Sequence, residues 1–438
     1  MGAEGLGALA IFVPILTGLE KSDLLHVADL SLVVFGGYLL ALQARNPSIP
    51  LMGVKSDETS RPWALAAELL LLAVTLSLAW QIVRHASPAL WAESWCQSVF
   101  RFGNPFSFLT AGYLLMMGLA FFRLLLDQGP LLEAWLLPAL LAQLAATAAF
   151  FLLQWFAHFP EAYGGIICFL PYEDISSFGS AAASSFMFFA ALCFRPGSGR
   201  RLATFGFAVA AAVALALDVA SWSRGAWLST AIGLACLAWL MLPRRLTAAL
   251  LIAALAAIIW VNRNADNPAW NEHPFAWRLI RLVRLENPVN KDPSRFTLYR
   301  KAAAMIIERP WIGHGVGSFY LESVRYGPRN DPYALVPDYA HDAWLLIAAE
   351  LGLPVATLAG VMVIFALRRG LGGAERGNPD SLRFAAAASL LTYVLTQVTA
   401  NSLTEYPSNQ FLFWLLIAAL LGNAAKDALQ LPGAVTLR

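Results

Sequence analysis

Charge is what this sequence has least of. Asp, Glu, Lys and Arg make up 13% of its 438 residues against 58% hydrophobic, which excludes an ordinary soluble chain of two or three domains. There are four cysteines, too few for a disulfide scaffold. The six histidines, His26, His85, His158, His273, His314 and His341, contain no i, i+4 pair, and no D-x-D carboxylate motif occurs. Both are common ways of holding a catalytic metal, so metal-independent chemistry without a cofactor is expected. No internal repeat or low-complexity tract stands out, and nothing points to a nucleic-acid partner.

What is present is long apolar runs. Arg and Lys cost about 2.5 to 3.5 kcal/mol at the centre of a bilayer helix, so the gaps between them mark spans. About twelve follow, near 5–20, 25–43, 62–83, 105–122, 131–154, 178–194, 202–221, 225–242, 246–262, 346–368, 382–401 and 408–424. The expected fold is an all-α polytopic membrane protein with one long, partly helical loop. Its parts are 1–261 with the first nine helices, the loop at 262–340, and 341–438 with the last three. Among the short connections, alternate ones are rich in Arg and Lys, as at Arg195, Arg200, Arg201, Arg244, Arg245, Arg368 and Arg369, while the short ones between hold only Lys21, Arg84, Arg101 and Arg224. By the positive-inside rule both termini are cytoplasmic and 262–340 lies on the far side. The first apolar run has no basic residue before it and no A-x-A-like site, so it is expected to stay in the mature protein.

The far side carries the polar chemistry. Residues 84–104, with Trp91, Trp95, Phe100 and Phe102, read as an interfacial segment, and 155–178 as an interfacial helix or a lid. Cys96 and Cys168 fall in these two connections, where an oxidising compartment permits pairing. Within the long loop, Arg278, Arg281 and Arg284 at i, i+3 and i+6 share one side of a basic amphipathic helix. A second amphipathic helix, near 294–307, carries Arg295 and Arg300, with Pro293 near its start and Pro310 beyond its end. Gly313-His314-Gly315-Val316-Gly317 is a tight turn whose exposed amides suit an anion, with His314 as a solvated loop histidine. No parallel βαβ unit flanks it, so it is not a dinucleotide fingerprint. Arg224 occupies a very short far-side turn, where it either snorkels to the interface or binds substrate. Glu405 lies in the last far-side turn, which is either a plain solvated turn or one that orients an imidazole or contacts a sugar hydroxyl. His341 stands where the loop returns to an apolar helix, a titratable imidazole at a water–membrane boundary.

The run Glu308-Arg309-Pro310-Trp311-Ile312-Gly313-His314-Gly315-Val316-Gly317-Ser318-Phe319, followed by His341-Asp342-Ala343-Trp344-Leu345 through Glu350-Leu351-Gly352, resembles the O-antigen ligase and polymerase family. Asp342 stands where that family commonly has Asn or Ser. The Ser223-Arg224-Gly225-Ala226 turn and the helix with Arg295 are similar to the family's arginine positions. The resemblance implies transfer of a polysaccharide from undecaprenyl diphosphate to a lipid A–core sugar hydroxyl, at the periplasmic face of a bacterial inner membrane. The lipids of that membrane are then partners as well. A polymerase of the same family, or a transporter of lipid-linked oligosaccharide, is the alternative.

On this reading His341 is the general base for the acceptor hydroxyl, a role that typically contributes about 10²- to 10⁴-fold. The displacement inverts the anomeric carbon. Arg224 and Arg295 clamp the departing diphosphate, because planar guanidinium forks bind phosphate oxygens in pairs. Arg278, Arg281, Arg300, His314, Asp342 and Glu405 are secondary candidates for substrate contact. Neighbouring arginines favour the neutral imidazole, and Asp342 or Glu405 oppose them.

Overall fold

The computed structural model describes residues 60–84, 107–126, 129–157, 175–194, 201–267, 276, 279, 280, 282, 295–327, 340–372, 381–400, 403 and 407–422. Within them the chain is helical, with no strand. The order is α1 (Arg61–Arg84), α2 (Ser107–Leu126), α3 (Gly129–Ala157), α4 (Ile175–Cys193), α5 (Arg201–Ala220), α6 (Arg224–Met241) and α7 (Arg244–Arg263). There follow α8 (Arg295–Glu308), the single turn α9 (Phe319–Glu322), a 3₁₀ turn at Ser323–Tyr326, α10 (Ala343–Leu351), α11 (Leu353–Leu371), α12 (Ser381–Thr396) and α13 (Pro407–Leu421).

Six of these helices, α1, α4, α5, α6, α7 and α11, are long and apolar enough to cross a membrane, and shorter apolar helices lie within α2, α3, α12 and α13. The expected runs 5–20 and 25–43 lie outside the described residues, as do the interfacial segment near 84–104 beyond Arg84, most of the 155–178 connection, and Cys96 and Cys168.

α4 is the centre of the bundle. In its apolar window 89% of residues are buried, against 11% in α7, which therefore lies at the periphery. The reason is its stripe of small residues, Ser177, Gly179, Ser180, Ala181, Ala182, Ala183, Ser184 and Ser185, which lets neighbouring backbones approach. α4 packs most extensively against α5 and α12. Ser184 and Ser389 exchange hydrogen bonds across the α4–α12 contact, with their hydroxyls 2.7 Å apart. Such interhelical bonds contribute on average about 0.6 kcal/mol in membranes. Asn409 of α13 reaches Ser177 in the first turn of α4.

One expected span is two helices. The run near 346–368 breaks at Gly352, whose φ of 88° is open to glycine and strained for other residues. Pro354 lies in the first turn of the helix that resumes. A Cβ at Gly352 would lie 2.5 Å from the carbonyl oxygen of Trp311. The break is thus imposed by contact with the Gly-rich turn, a partner that apolar periodicity does not register.

Candidate active site

α8 begins at Arg295 and ends before Pro310, as the prolines predict. Its inner face buries Leu298, Lys301, Ala302 and Met305. Lys301, one of the loop's cations, is therefore not a surface charge. Tyr299 projects sideways and donates from its hydroxyl to the carbonyl of Val398, at 3.2 Å. Burial raises the Tyr299 hydroxyl above its ordinary range, Arg295 lowers it by charge and by a side-chain hydrogen bond, and the charge of Asp342 raises it. Tyr299 is thus within electrostatic reach of both Arg295 and the residue beside His341.

His341 ends the loop in a left-handed conformation with φ of 51°. Histidine is among the residues enriched there, but the geometry still signals constraint. Asp342 then caps α10, its Oδ1 accepting from the amides of Trp344 and Leu345, both at 2.9 Å. Burial raises the Asp342 carboxyl and the two amides pull it back down. The residue read from sequence as a charge tuning the base is first of all a helix cap. The next amide, of Ala343, donates to the carbonyls of Gln397 and Ala400, at 3.0 and 3.1 Å.

The third segment is the turn before α6. Ser223 caps that helix, its Oγ accepting from the Ala226 amide at 3.3 Å, and Arg224 is the first helical residue. Trp222 has a φ of 58°, a strained geometry for so bulky a side chain. The turn is cross-linked from behind: the Asp218 carbonyl accepts from Ser221 Oγ at 2.6 Å and from Trp227 Nε1 at 2.9 Å. The buried Asp218 carboxylate accepts from Thr230 at 2.8 Å. A Cβ at Gly225 would collide with Thr399 Oγ1, so this backbone presses against the turn after α12.

Residues 397–400 are therefore the meeting point. The Tyr299 hydroxyl, the start of α10 and the Arg224–Gly225 backbone each contact that turn. Around it stand Arg295, His341 and Arg224, drawn from three stretches far apart in sequence. His341 and Arg224 are each half-buried. Sequence reasoning missed Tyr299, Asp218 and the 397–400 turn; a carboxylate inside an apolar span was the one signal that was readable for Asp218.

The Gly-rich turn is a separate construction. Glu350, buried on α10, accepts from the amides of Gly317 at 2.8 Å and Phe319 at 3.0 Å. The His314 and Gly315 amides donate to the carbonyls of Ala349 and Glu350, at 3.0 and 2.8 Å. The Val316 amide donates to Ser77 Oγ at 2.8 Å. The expectation of exposed amides awaiting an external anion is corrected: the anion they hold is the protein's own carboxylate. His314 is corrected too. It is 1% exposed rather than solvated, with Nδ1 3.1 Å from Glu322 Oε2 and Nε2 3.0 Å from the Met305 carbonyl. Arg84 of α1 pairs with the other Glu322 oxygen, and Gln81 donates to the His314 carbonyl at 3.0 Å. Ser77, Gln81 and Arg84, at i, i+4 and i+7, form one polar face of α1, a readable pattern that the apolar count overlooked.

Of the secondary candidates, Arg300 is exposed on α8, away from its buried face. Arg278, Arg281 and Glu405 lie outside the described residues. Among the described residues no group of three or more His, Cys, Asp or Glu side chains is arranged to hold a metal ion.

Fold and site together define a polytopic helical membrane protein in which the segments carrying Arg224, Arg295 with Tyr299, and His341 converge on one turn. Residues 209–360, about a third of the chain, match the family model described as O-antigen ligase. These residues are thus similar to the O-antigen ligase family, in agreement with the motif resemblance. The match spans the Arg224 turn, α8, the Gly-rich turn and His341, and it implies ligase- or polymerase-type action on lipid-linked polysaccharide. No curated protein matches the chain.

Proposed function

We propose that the protein is the ligase that transfers a polysaccharide from undecaprenyl diphosphate to a lipid A–core sugar hydroxyl, by metal-independent inverting transfer. His341 takes the acceptor proton as the hydroxyl attacks the anomeric carbon. Arg224 and Arg295 hold the diphosphate as its charge grows; removing a pre-organised donor of this kind commonly costs about 10²- to 10³-fold in rate. The proposal includes twelve spans, both termini in the cytoplasm, and the cluster facing the periplasm of an inner membrane. The observation that carries it is the convergence of the Arg224 turn, the Tyr299 face of α8 and the start of α10 on residues 397–400.

The test is a reconstitution from purified donor, acceptor and protein, read by product mass. A ligase releases undecaprenyl diphosphate only when acceptor is present. A polymerase instead lengthens the glycan on its carrier, and a transporter moves labelled lipid across vesicles without consuming it. A folded His341→Ala variant with near wild-type transfer would refute the base assignment, and loss of activity to a chelator would refute metal independence.

A further inference from the structure

α8 lies outside the six candidate spans, yet apart from Arg300 and Glu308 its exposed residues are apolar. Phe296, Arg300, Ala303 and Ile307 fall at i, i+4, i+7 and i+11, along one side of the helix, and all four are exposed. Phe296 is 70% exposed and Ile307 79%, and the chain just beyond adds Trp311 at 76% and Ile312 at 75%. A run of four large apolar side chains left this open marks a surface with an occupant.

The position of the run says which occupant. The Pro310 carbonyl accepts from the Leu353 amide at 2.8 Å, and the Trp311–Ile312 backbone lies against Gly352. Trp311 and Ile312 thus sit beside the first residue of α11, a candidate membrane span whose Leu353, Ile364 and Phe365 are themselves exposed. The apolar surface of the loop continues the apolar flank of that span. Arg300 and Arg325 are exposed nearby and Arg309 follows α8 directly. Tryptophan and aliphatic side chains bordered by arginine are the composition of a segment lying at headgroup depth. We propose that the outer edge of α8 and the Trp311–Ile312 turn insert into the phospholipid leaflet, making this part of the loop an interfacial element. Glu350 ties the same turn to α10, so the insertion fixes the depth of His341 relative to the bilayer. The inference is independent of glycosyl transfer and stands or falls separately from it.

The full chain, reconstituted in vesicles of phosphatidylethanolamine and phosphatidylglycerol, tests this. A photoreactive benzoylphenylalanine replaces Trp311 or Ile312, one at a time, with Ile364 in α11 as the lipid-facing reference. At Trp311 one aromatic side chain replaces another, which preserves folding. Irradiation is expected to give phospholipid adducts at 311 and 312 by intact mass, in yields within about threefold of position 364. Adducts to polypeptide alone at both positions, or no adduct at either while position 364 reacts, would overturn the proposal.

Discussion

Replacing Asp342 with asparagine separates its two roles. As a cap, Asp342 accepts two amides at 2.9 Å from a site that is 8% exposed. Asparagine caps about as well as aspartate, so Asp342→Asn should fold normally. Asp342→Ala should be less stable: losing the cap, with its two amides left without an acceptor, costs about 0.5 to 2 kcal/mol. Stability against pH carries the same contrast. Burial raises the folded-state carboxyl of Asp342, so its contribution is greatest below the ordinary aspartate range and falls as pH rises through the raised value. Asparagine lacks that fall. At neutral pH Asp342→Asn is therefore expected to be at least as stable as the native chain.

Removal of the charge acts on His341. The carboxylate sits on the residue next to the imidazole, and the helix N-terminus, carrying about half a positive charge, offsets part of its effect. A negative neighbour favours the imidazolium, so its loss favours the neutral base. The acidic limb of the pH–rate profile of Asp342→Asn should move to lower pH, with the plateau rate little changed. Two results would refute the reasoning. An unmoved limb means that the carboxylate does not act through His341; activity as low as that of His341→Ala means that Asp342 itself touches the reacting groups.

Other substitutions probe the remaining assignments. Arg224→Lys and Arg295→Lys should each lower transfer by at least about tenfold, since an ammonium cannot reproduce the planar fork; native rates in the reconstituted assay would remove the clamp role. Tyr299→Phe loses the hydrogen bond that ties α8 to Val398, worth about 1 kcal/mol, and is expected to lower Tm slightly and to raise KM for the lipid-linked donor. A lower Tm with unchanged KM would make Tyr299 purely structural. Glu350→Gln sets an amide donor against the Gly317 and Phe319 amides, and a thermal-shift loss equivalent to about 2 to 3 kcal/mol is expected; an unchanged Tm would show that the turn holds without its carboxylate.

Apolar runs marked the described bundle helices well, because burial in lipid and burial in a protein core demand the same side chains. They did not distinguish the two. α4 is even less hydropathic than α7, yet α4 is the core and α7 the rim. The difference lies in the serines, alanines and Gly179, which permit close approach and so carry neighbour information that apolar character lacks. The site was legible in part for the same reason. Arg224, Arg295 and His341 stood out as polar residues in an apolar chain, whereas the 397–400 turn works through its backbone carbonyls and Thr399, groups that no side-chain pattern announces.

The Gly-rich turn shows how a correct physical rule can name the wrong ligand. Alternating glycines do expose amides, and amides do gather an anion; here the anion is Glu350, and Gly313, Gly315 and Gly317 all have positive φ because the turn wraps onto the end of α10. Two motifs separated by the loop are thus partners in one joint, and Gly352 belongs to it because a Cβ there would strike the Trp311 carbonyl. With those amides occupied, this turn offers no such nest to a substrate diphosphate. In the proposed reaction its charge is met by the guanidinium groups of Arg224 and Arg295, and the joint's part is to hold the start of α10, and with it His341, in a fixed position.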